Sequence, residues 1–357
     1  MKKLIIGALL FILDGLGMLL FKSFPDLFFP TYRNISKKWI GSLSTITGIF
    51  PFSVWDILMV LLIILAIVSL IVSIRKKKFL KWACDVFLIV SISCFIAVYG
   101  WMLNHYAPDL SAYIDLDVKQ YSVEQLNDAC EYYLLKAGEL SVKMDRDEEY
   151  HLKDYDVYQT GEIAGRAYKN IEVKYPIFKG SDARVKSFSL IGDYLLYNDI
   201  VGMFMPLDGE ASVCAHAADV QLPYYMCHEA AHRLGLASEQ EANFAAFMAC
   251  TNSEDERFLY SGYYMAFSYC FSSLYRSDPE KALALYEKYS EDKGVLLVRY
   301  DRSDAAELYK KYESKLSEIS DHINDTYLKT FSEEDGIKSY GMVTDYLIAY
   351  HLKANKQ

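Results

Sequence analysis

The chain is short of basic residues, of paired cysteines and of structural punctuation. Its 37 Lys and Arg face 47 Asp and Glu, for a formal net charge of −10. Phosphate neutralisation needs the opposite excess, so this balance tells against a nucleic-acid partner. Seven cysteines, an odd number, forbid complete internal pairing, and most are expected to be buried thiols. No Cys-x-x-Cys occurs, which argues against a thiolate zinc site or a thioredoxin-like redox site. Repeats, low-complexity tracts and long linkers are also missing. With 52% apolar residues the chain can bury enough surface to offset its ordering entropy, which excludes intrinsic disorder.

What is present divides the chain into unlike parts. Leu4–Phe21, Ile57–Ile74 and Trp82–Trp101 are apolar runs close to the roughly 20 residues that cross a bilayer as a helix. Asp14 and Asp85 interrupt the first and third runs without abolishing them. Trp55, Trp82 and Trp101 fall at the ends, where indole prefers the interface. The first run is followed by Lys22-Ser23-Phe24-Pro25 and not by a small-residue cleavage site, so it reads as an uncleaved anchor. Arg75, Lys76, Lys77, Lys78 and Lys81 between the second and third runs, with Lys2 and Lys3, place the N-terminus and that hairpin in the cytoplasm. Lys22, Arg33, Lys37 and Lys38 break the charge rule in the first loop. The stretch from Tyr32 to Ile49 there reads as an amphipathic helix lying in the interface, its lysines among the headgroups. Residues 1–103 are therefore expected to be a three-span membrane anchor and residues 104–357 a single extracytoplasmic domain.

That domain reads as mainly helical with a small sheet. Ser122–Val142 has a capping serine and helical apolar spacing. Ile171-Glu172-Val173 and Phe188-Ser189-Leu190 read as short strands. Ala211–Gln221 reads as another, an edge that can pair with an extended substrate. From Pro223 onward the pattern is helical almost to the end. His105, His151, His322 and His351 are isolated and expected to face solvent. The acidic runs Asp145–Glu149 and Ser332–Asp335 are expected at the surface.

The chemistry is concentrated between Leu222 and Phe247. Pro223 suits a first helical position and Gly235 a C-terminal stop. His228 and His232, four residues apart, then share one helix face and can present both imidazoles to one cation. Glu229 stands where the His-Glu-x-x-His arrangement of zinc proteases puts its general base. A hydrolytic zinc needs a third protein ligand and an open position for water. Of Glu239 and Glu241, the second completes a Ser238-x-x-Glu241 capping box, which leaves Glu239 as the ligand, with Asn243 to steady its carboxylate. Tyr263, Tyr340 and His216 are candidate oxyanion donors.

The Glu239-x-x-Ala242-Asn243 element behind the histidine pair resembles the signature of zincins such as the CAAX-processing membrane proteases and the repressor-cleaving phage-immunity proteases. In those families the first glutamate is the third zinc ligand. The whole chain is more closely similar to a bacterial membrane-protein family known as domain of unknown function 3810. The matching pieces include Pro51-Phe52-Ser53 with Asp56, Gly209-Glu210-Ala211-Ser212-Val213 and the two motif helices. Tyr260-Ser261-Gly262-Tyr263, Asn324-Asp325-Thr326-Tyr327-Leu328-Lys329, Lys338-Ser339-Tyr340-Gly341 and Asp345 follow. The resemblance implies a zincin-like, zinc-dependent membrane peptidase and names no substrate.

The expectation is therefore a membrane-anchored hydrolase with Zn²⁺ on His228, His232 and Glu239, and Glu229 activating water against a peptide or protein outside the cytoplasm. Two other readings stay open: a sensor or binding protein that uses zinc structurally, and a zinc hydrolase of cell-wall amides. No residue pattern speaks to oligomeric state.

Overall fold

The computed structural model describes residues 1–153, 155–313 and 343–354. Three helices, α1 (Lys2–Ser23), α3 (Val54–Arg75) and α4 (Phe79–Gly100), are long and apolar enough to cross a membrane. Each has 22 residues, a rise of about 33 Å, which matches a hydrocarbon layer of about 30 Å. They begin and end within a few residues of the apolar runs. α1 packs mainly on α4, and small residues allow the approach. A Cβ on Gly17 would clash with Tyr99, whose hydroxyl donates to the Leu13 carbonyl at 2.7 Å. Asp14 is buried in this packing, and Lys3 pairs with Asp85.

Between the first two spans runs α2 (Pro25–Thr47), started by Pro25 in its first turn. Phe29, Tyr32, Ser36, Ile40, Ser44 and Thr47 form its buried face, while Leu27, Ile35, Trp39 and Ile46 are exposed. The amphipathic helix is thus present. Lys37 departs from the headgroup expectation, however: it turns inward and donates to the carbonyls of Ile177 and Lys179. Burial lowers its pKa to about 8. Ser44 Oγ reaches the Gly209 carbonyl at 2.8 Å, so α2 is stitched to the sheet.

The sheet has three short strands, β1 (Lys186–Phe188), β2 (Gly202–Met205) and β3 (Glu210–Cys214), in the order β1-β3-β2. β1 runs parallel to β3, and β2 antiparallel, with Gly202 opposite Val213 and Phe204 opposite Ala211. Three strand expectations need correction. Ile171-Glu172-Val173 is a turn after a 3-10 helix, with Val173 exposed; β-branched residues form strands only where a neighbouring strand receives them. The strand at Phe188 stops there because the backbone N–H groups of Ser189, Leu190 and Ile191 donate to the Asp56 carboxylate instead of a ladder. β3 ends at Cys214 and lies in the centre of the sheet, so it is not the edge that Ala211–Gln221 suggested. Among the described residues the free edges belong to β1 and β2.

The helices that follow the spans are α5 (Leu110–Ile114), α6 (Val123–Ser141), α7 (Val157–Arg166), α8 (Gly192–Leu196), α9 (Leu222–Arg233) and α10 (Glu239–Thr251), of which α7, α8 and α9 pack on the sheet. They are followed by α11 (Glu256–Ser277), α12 (Pro279–Lys288), α13 (Lys293–Lys310) and α14 (Val343–Ala354). Ser122 caps α6 in a box with Gln125. One core runs from Ile40 of α2 and Trp101 through α6, α9, α10 and α11 to α14. Within it Arg146 grips Asp301 with two parallel bonds of 2.7 and 2.8 Å, and Tyr260 adds a third. All seven cysteines are free, and Cys130, Cys214, Cys227, Cys250 and Cys270 are buried. His351 is buried against Tyr132, contrary to the solvent-facing expectation. His151 is partly covered, meeting Tyr300 and Asp304. His322, Ser332–Asp335 and Tyr340 lie outside the described residues.

Candidate metal centre

α9 spans Leu222–Arg233, with Pro223 in its first turn. Gly235 follows at a φ of +87°, a left-handed conformation that glycine adopts without a Cβ penalty. The chain then turns back as α10, packed on α9. This hairpin brings His228, His232 and Glu239 together, each offering one ligand atom, all within 4.8 Å of one another. Glu239 Oε2 lies 3.2 Å from His228 Nε2, and its Oε1 lies 3.6 Å from His232 Nε2.

The donor chemistry fits a cation. His232 Nδ1 lies 2.7 Å from the Leu236 carbonyl, which only an N–H can satisfy, so the Nε2 lone pair points into the cluster. His228 Nε2 sits 3.0 Å from that lone pair, beside a carboxylate. Two imidazole nitrogens and a carboxylate converge on one point, which is the donor set of a catalytic zinc. Burial pushes the Glu239 pKa up, but the two imidazoles outweigh it and hold the carboxyl near 2. Burial pushes His232 down to about 4, which keeps the neutral, ligating form. His228 is also disfavoured as a cation by burial, yet Glu239 raises its pKa overall.

Glu239 is in place, but not for the reason that the sequence offered. Ser238 makes no side-chain capping bond, and its Oγ is buried without a partner. Glu241 instead reaches sideways and accepts the Leu110 backbone N–H at 2.6 Å, at the start of α5. Asn243 also differs from expectation. Its Oδ1 meets the hydroxyls of Tyr269 at 3.1 Å and Tyr224 at 3.5 Å, while its Nδ2 and the His228 Nδ1 beside it have no partners. Rotating the amide by half a turn pairs Oδ1 with the His228 N–H and lets Nδ2 donate to the tyrosine oxygens. In that orientation Asn243 would hold the His228 ring, and its contacts are with Tyr224 and Tyr269 and not with Glu239.

Glu229 faces β2. It is buried, its Oε2 makes no hydrogen bond, and burial pushes its pKa up to about 8. A Cβ on Gly202 would stand 2.5 Å from Glu229 Oε1, so any larger residue at this point of the strand would displace the carboxylate.

The chain belongs to the DUF3810 family. The match to this family, described as proteins of unknown function, covers residues 32–348. No curated protein and no solved structure matches the chain. Within this DUF3810 chain, the motif pieces around Ser53 and Glu210 touch each other: Ser53 Oγ donates to Glu210 Oε2 at 3.0 Å. The pieces between 324 and 341 lie outside the described residues.

Sequence reasoning missed several residues at the centre. Trp101, just beyond α4, donates its indole N–H to the His232 carbonyl at 2.8 Å. His105 packs edge to face on Trp101. Tyr269 bonds the side chain of Asn243 at 3.1 Å. All three are distant from the motif in sequence, so no local spacing could reveal them. Of the proposed oxyanion donors, His216 pairs with Asp193 at the surface and Tyr263 packs on Tyr133 and Phe247.

Proposed function

We propose that this protein is a membrane-anchored zinc metallopeptidase that hydrolyses a peptide or protein outside the cytoplasm. In this reading residues 1–103 are the anchor, residues 104–357 are the catalytic unit, and the N-terminus is cytoplasmic. His228, His232 and Glu239 hold Zn²⁺, and Glu229 is the general base. The observation that carries the reading is a three-donor cluster beside a buried carboxylate whose Oε2 has no structural partner. A structural zinc is closed by four protein ligands, whereas three leave a position for water.

When bound, the metal supplies a Lewis acid and lowers the pKa of water at that position. Glu229 accepts the proton released on attack and passes it to the departing amine. The outer edge of β2 supplies backbone groups that can pair with an extended chain, holding its carbonyl beside Glu229.

The test is zinc content and hydrolysis by the full-length protein in nanodiscs, wild type against Glu229→Gln. Expected are one zinc per chain in both and hydrolysis by the wild type alone, with a loss of at least about 10³-fold in the variant, the general base and its charge both being gone. Stoichiometric zinc without hydrolysis of any peptide would leave a binding or sensing protein. Activity confined to wall fragments would shift the reading to a cell-wall amidase.

A further inference from the structure

The metal helix is tied to the end of a membrane span. α4 stops at Gly100, and the next residue, Trp101, bonds the His232 carbonyl at 2.8 Å. The two rings lie 6.1 Å apart, edge to face. α4 alone fills the hydrocarbon layer, so Trp101, the next residue, stands where that layer ends. The headgroup region adds only about 5–8 Å on each side. A ligand imidazole at 6.1 Å from that indole therefore lies among headgroups and not in the bulk water above them.

Two further features agree. α2, packed on α4 and on the metal helix, leaves Leu27, Ile35, Trp39 and Ile46 exposed, and the following loop exposes Ile49, Phe50 and Phe52. These apolar side chains ring the same end of the spans and suit partial immersion. β2 then joins this level to the catalytic carboxylate. Phe204 packs on Trp101 with ring centres 5.1 Å apart, and Gly202, two residues earlier, lies against Glu229. Among the described residues the outer edge of β2 pairs with no strand. An extended chain laid on it would pass from the Trp101 level to Glu229 in about 7 Å, two residues of strand.

Resting on the peptidase reading above, we infer that the substrate is a polypeptide anchored in the same bilayer, cut within about five residues of the point where it leaves the hydrocarbon, or roughly 17 Å of extended chain. An anchored chain delivers its juxtamembrane residues to this level by itself. A soluble chain would have to enter the headgroup layer first.

Two measurements test this on the full-length protein in liposomes. In the first, Trp55 and Trp82 are replaced by Phe, and the emission of Trp39, which is exposed and packs on Gly100 at the end of α4 while Trp101 is shielded inside the protein, is quenched with lipids brominated at defined depths. Strongest quenching by bromines near the acyl carbonyls is expected. Absence of quenching at every depth would put the centre in bulk water and overturn the inference, whatever the activity. In the second, a randomised twelve-residue peptide library is joined to a transmembrane helix directly, or through a fifteen-residue Gly-Ser spacer, and compared with the same library free in solution. At least tenfold faster cleavage of the directly joined library is expected, with cuts near the helix. The spaced library shares the same surface concentration, so equal cleavage of spaced and direct forms, or of free peptides, would overturn the inference while leaving a peptidase. Cleavage of none of them by zinc-loaded protein would sink the peptidase reading and this inference with it.

Discussion

Lys186 and Glu210 form an ion pair whose side chains are only 3% and 2% exposed. Its carboxylate is wedged against the first turn of a membrane span. Glu210 accepts from the backbone N–H groups of Val54 at 3.1 Å and Trp55 at 3.0 Å, and from Ser53 Oγ. Lys186 also donates to the Thr47 carbonyl at 2.8 Å, at the end of α2. Three orphan backbone groups at two helix ends are thus satisfied by adjacent strands. Glu210→Ala leaves the ammonium buried and uncompensated, and an expected loss of about 3–5 kcal/mol follows. Thermal unfolding in nanodiscs checks it. The double change Lys186→Met with Glu210→Leu should cost less than Glu210→Ala alone, because no charge is left behind. A single-variant cost below about 1 kcal/mol, the range of an exposed pair, would mean that the pair is solvated.

Asp208, two residues before that glutamate, gives the stability a pH dependence. Burial pushes its carboxyl up to about 7, against the pull of the Glu210 backbone N–H that it accepts. The folded state then binds this proton more tightly than the unfolded chain, where the pKa is about 3.9. Stability from this group is greatest below that value and is lost as pH rises to about 7. Asp208→Asn keeps the accepting oxygen and removes the titration. Its melting temperature, compared with wild type in metal-free buffer, should gain steadily between pH 4 and 7 and stay higher above. Parallel profiles for the two proteins would refute the assignment.

Gly202 is expected to matter for turnover through the room that it leaves for Glu229. An added Cβ would press on Glu229 Oε1 from 2.5 Å, and either the strand or the carboxylate must move. A displacement near 1 Å at a reacting group can cost about 100-fold. Gly202→Ala should therefore lower kcat by about 10–100-fold while zinc content stays at the wild-type level, since the three ligands sit on α9 and α10. Loss of zinc together with activity would show that β2 supports the ligands themselves.

Asn243 should act on affinity instead. With its amide turned to accept the His228 N–H, it fixes the ring that offers Nε2 to the metal, and removing such a partner typically weakens binding by about 10–100-fold. Asn243→Ala is expected to show that loss in a zinc-chelator competition. Unchanged affinity would place the His228 proton elsewhere.

Much of this arrangement was legible in the sequence wherever the physics is local. Three apolar runs announced three span-length helices, and Pro223 and Gly235 bracketed the helix that carries His228 and His232. Long-range contacts were not legible. Trp101 meets His232, and Gly202 meets Glu229, across a chain separation that leaves no periodic trace. The strand at Phe188 was shortened by Asp56, a residue at the start of a span. Val173 sits in a β-like triplet that no strand comes to meet. Glu239 illustrates a third case, since the residue emerged from a capping box that the fold does not make.

The two glutamates of that element separate the roles of ligand and brace. Glu239 contacts both imidazoles, whereas Glu241 accepts the Leu110 backbone N–H at 2.6 Å and supports the short helix behind the spans. Glu239→Ala removes one of three metal donors, so zinc content after dialysis should fall well below one per chain. Glu241→Ala keeps all three donors but leaves a buried N–H unsatisfied, a cost of about 1–3 kcal/mol. It should lower the melting temperature of the metal-free protein and still bind zinc at one per chain. The reverse pattern, with zinc lost from Glu241→Ala and kept by Glu239→Ala, would exchange the two assignments.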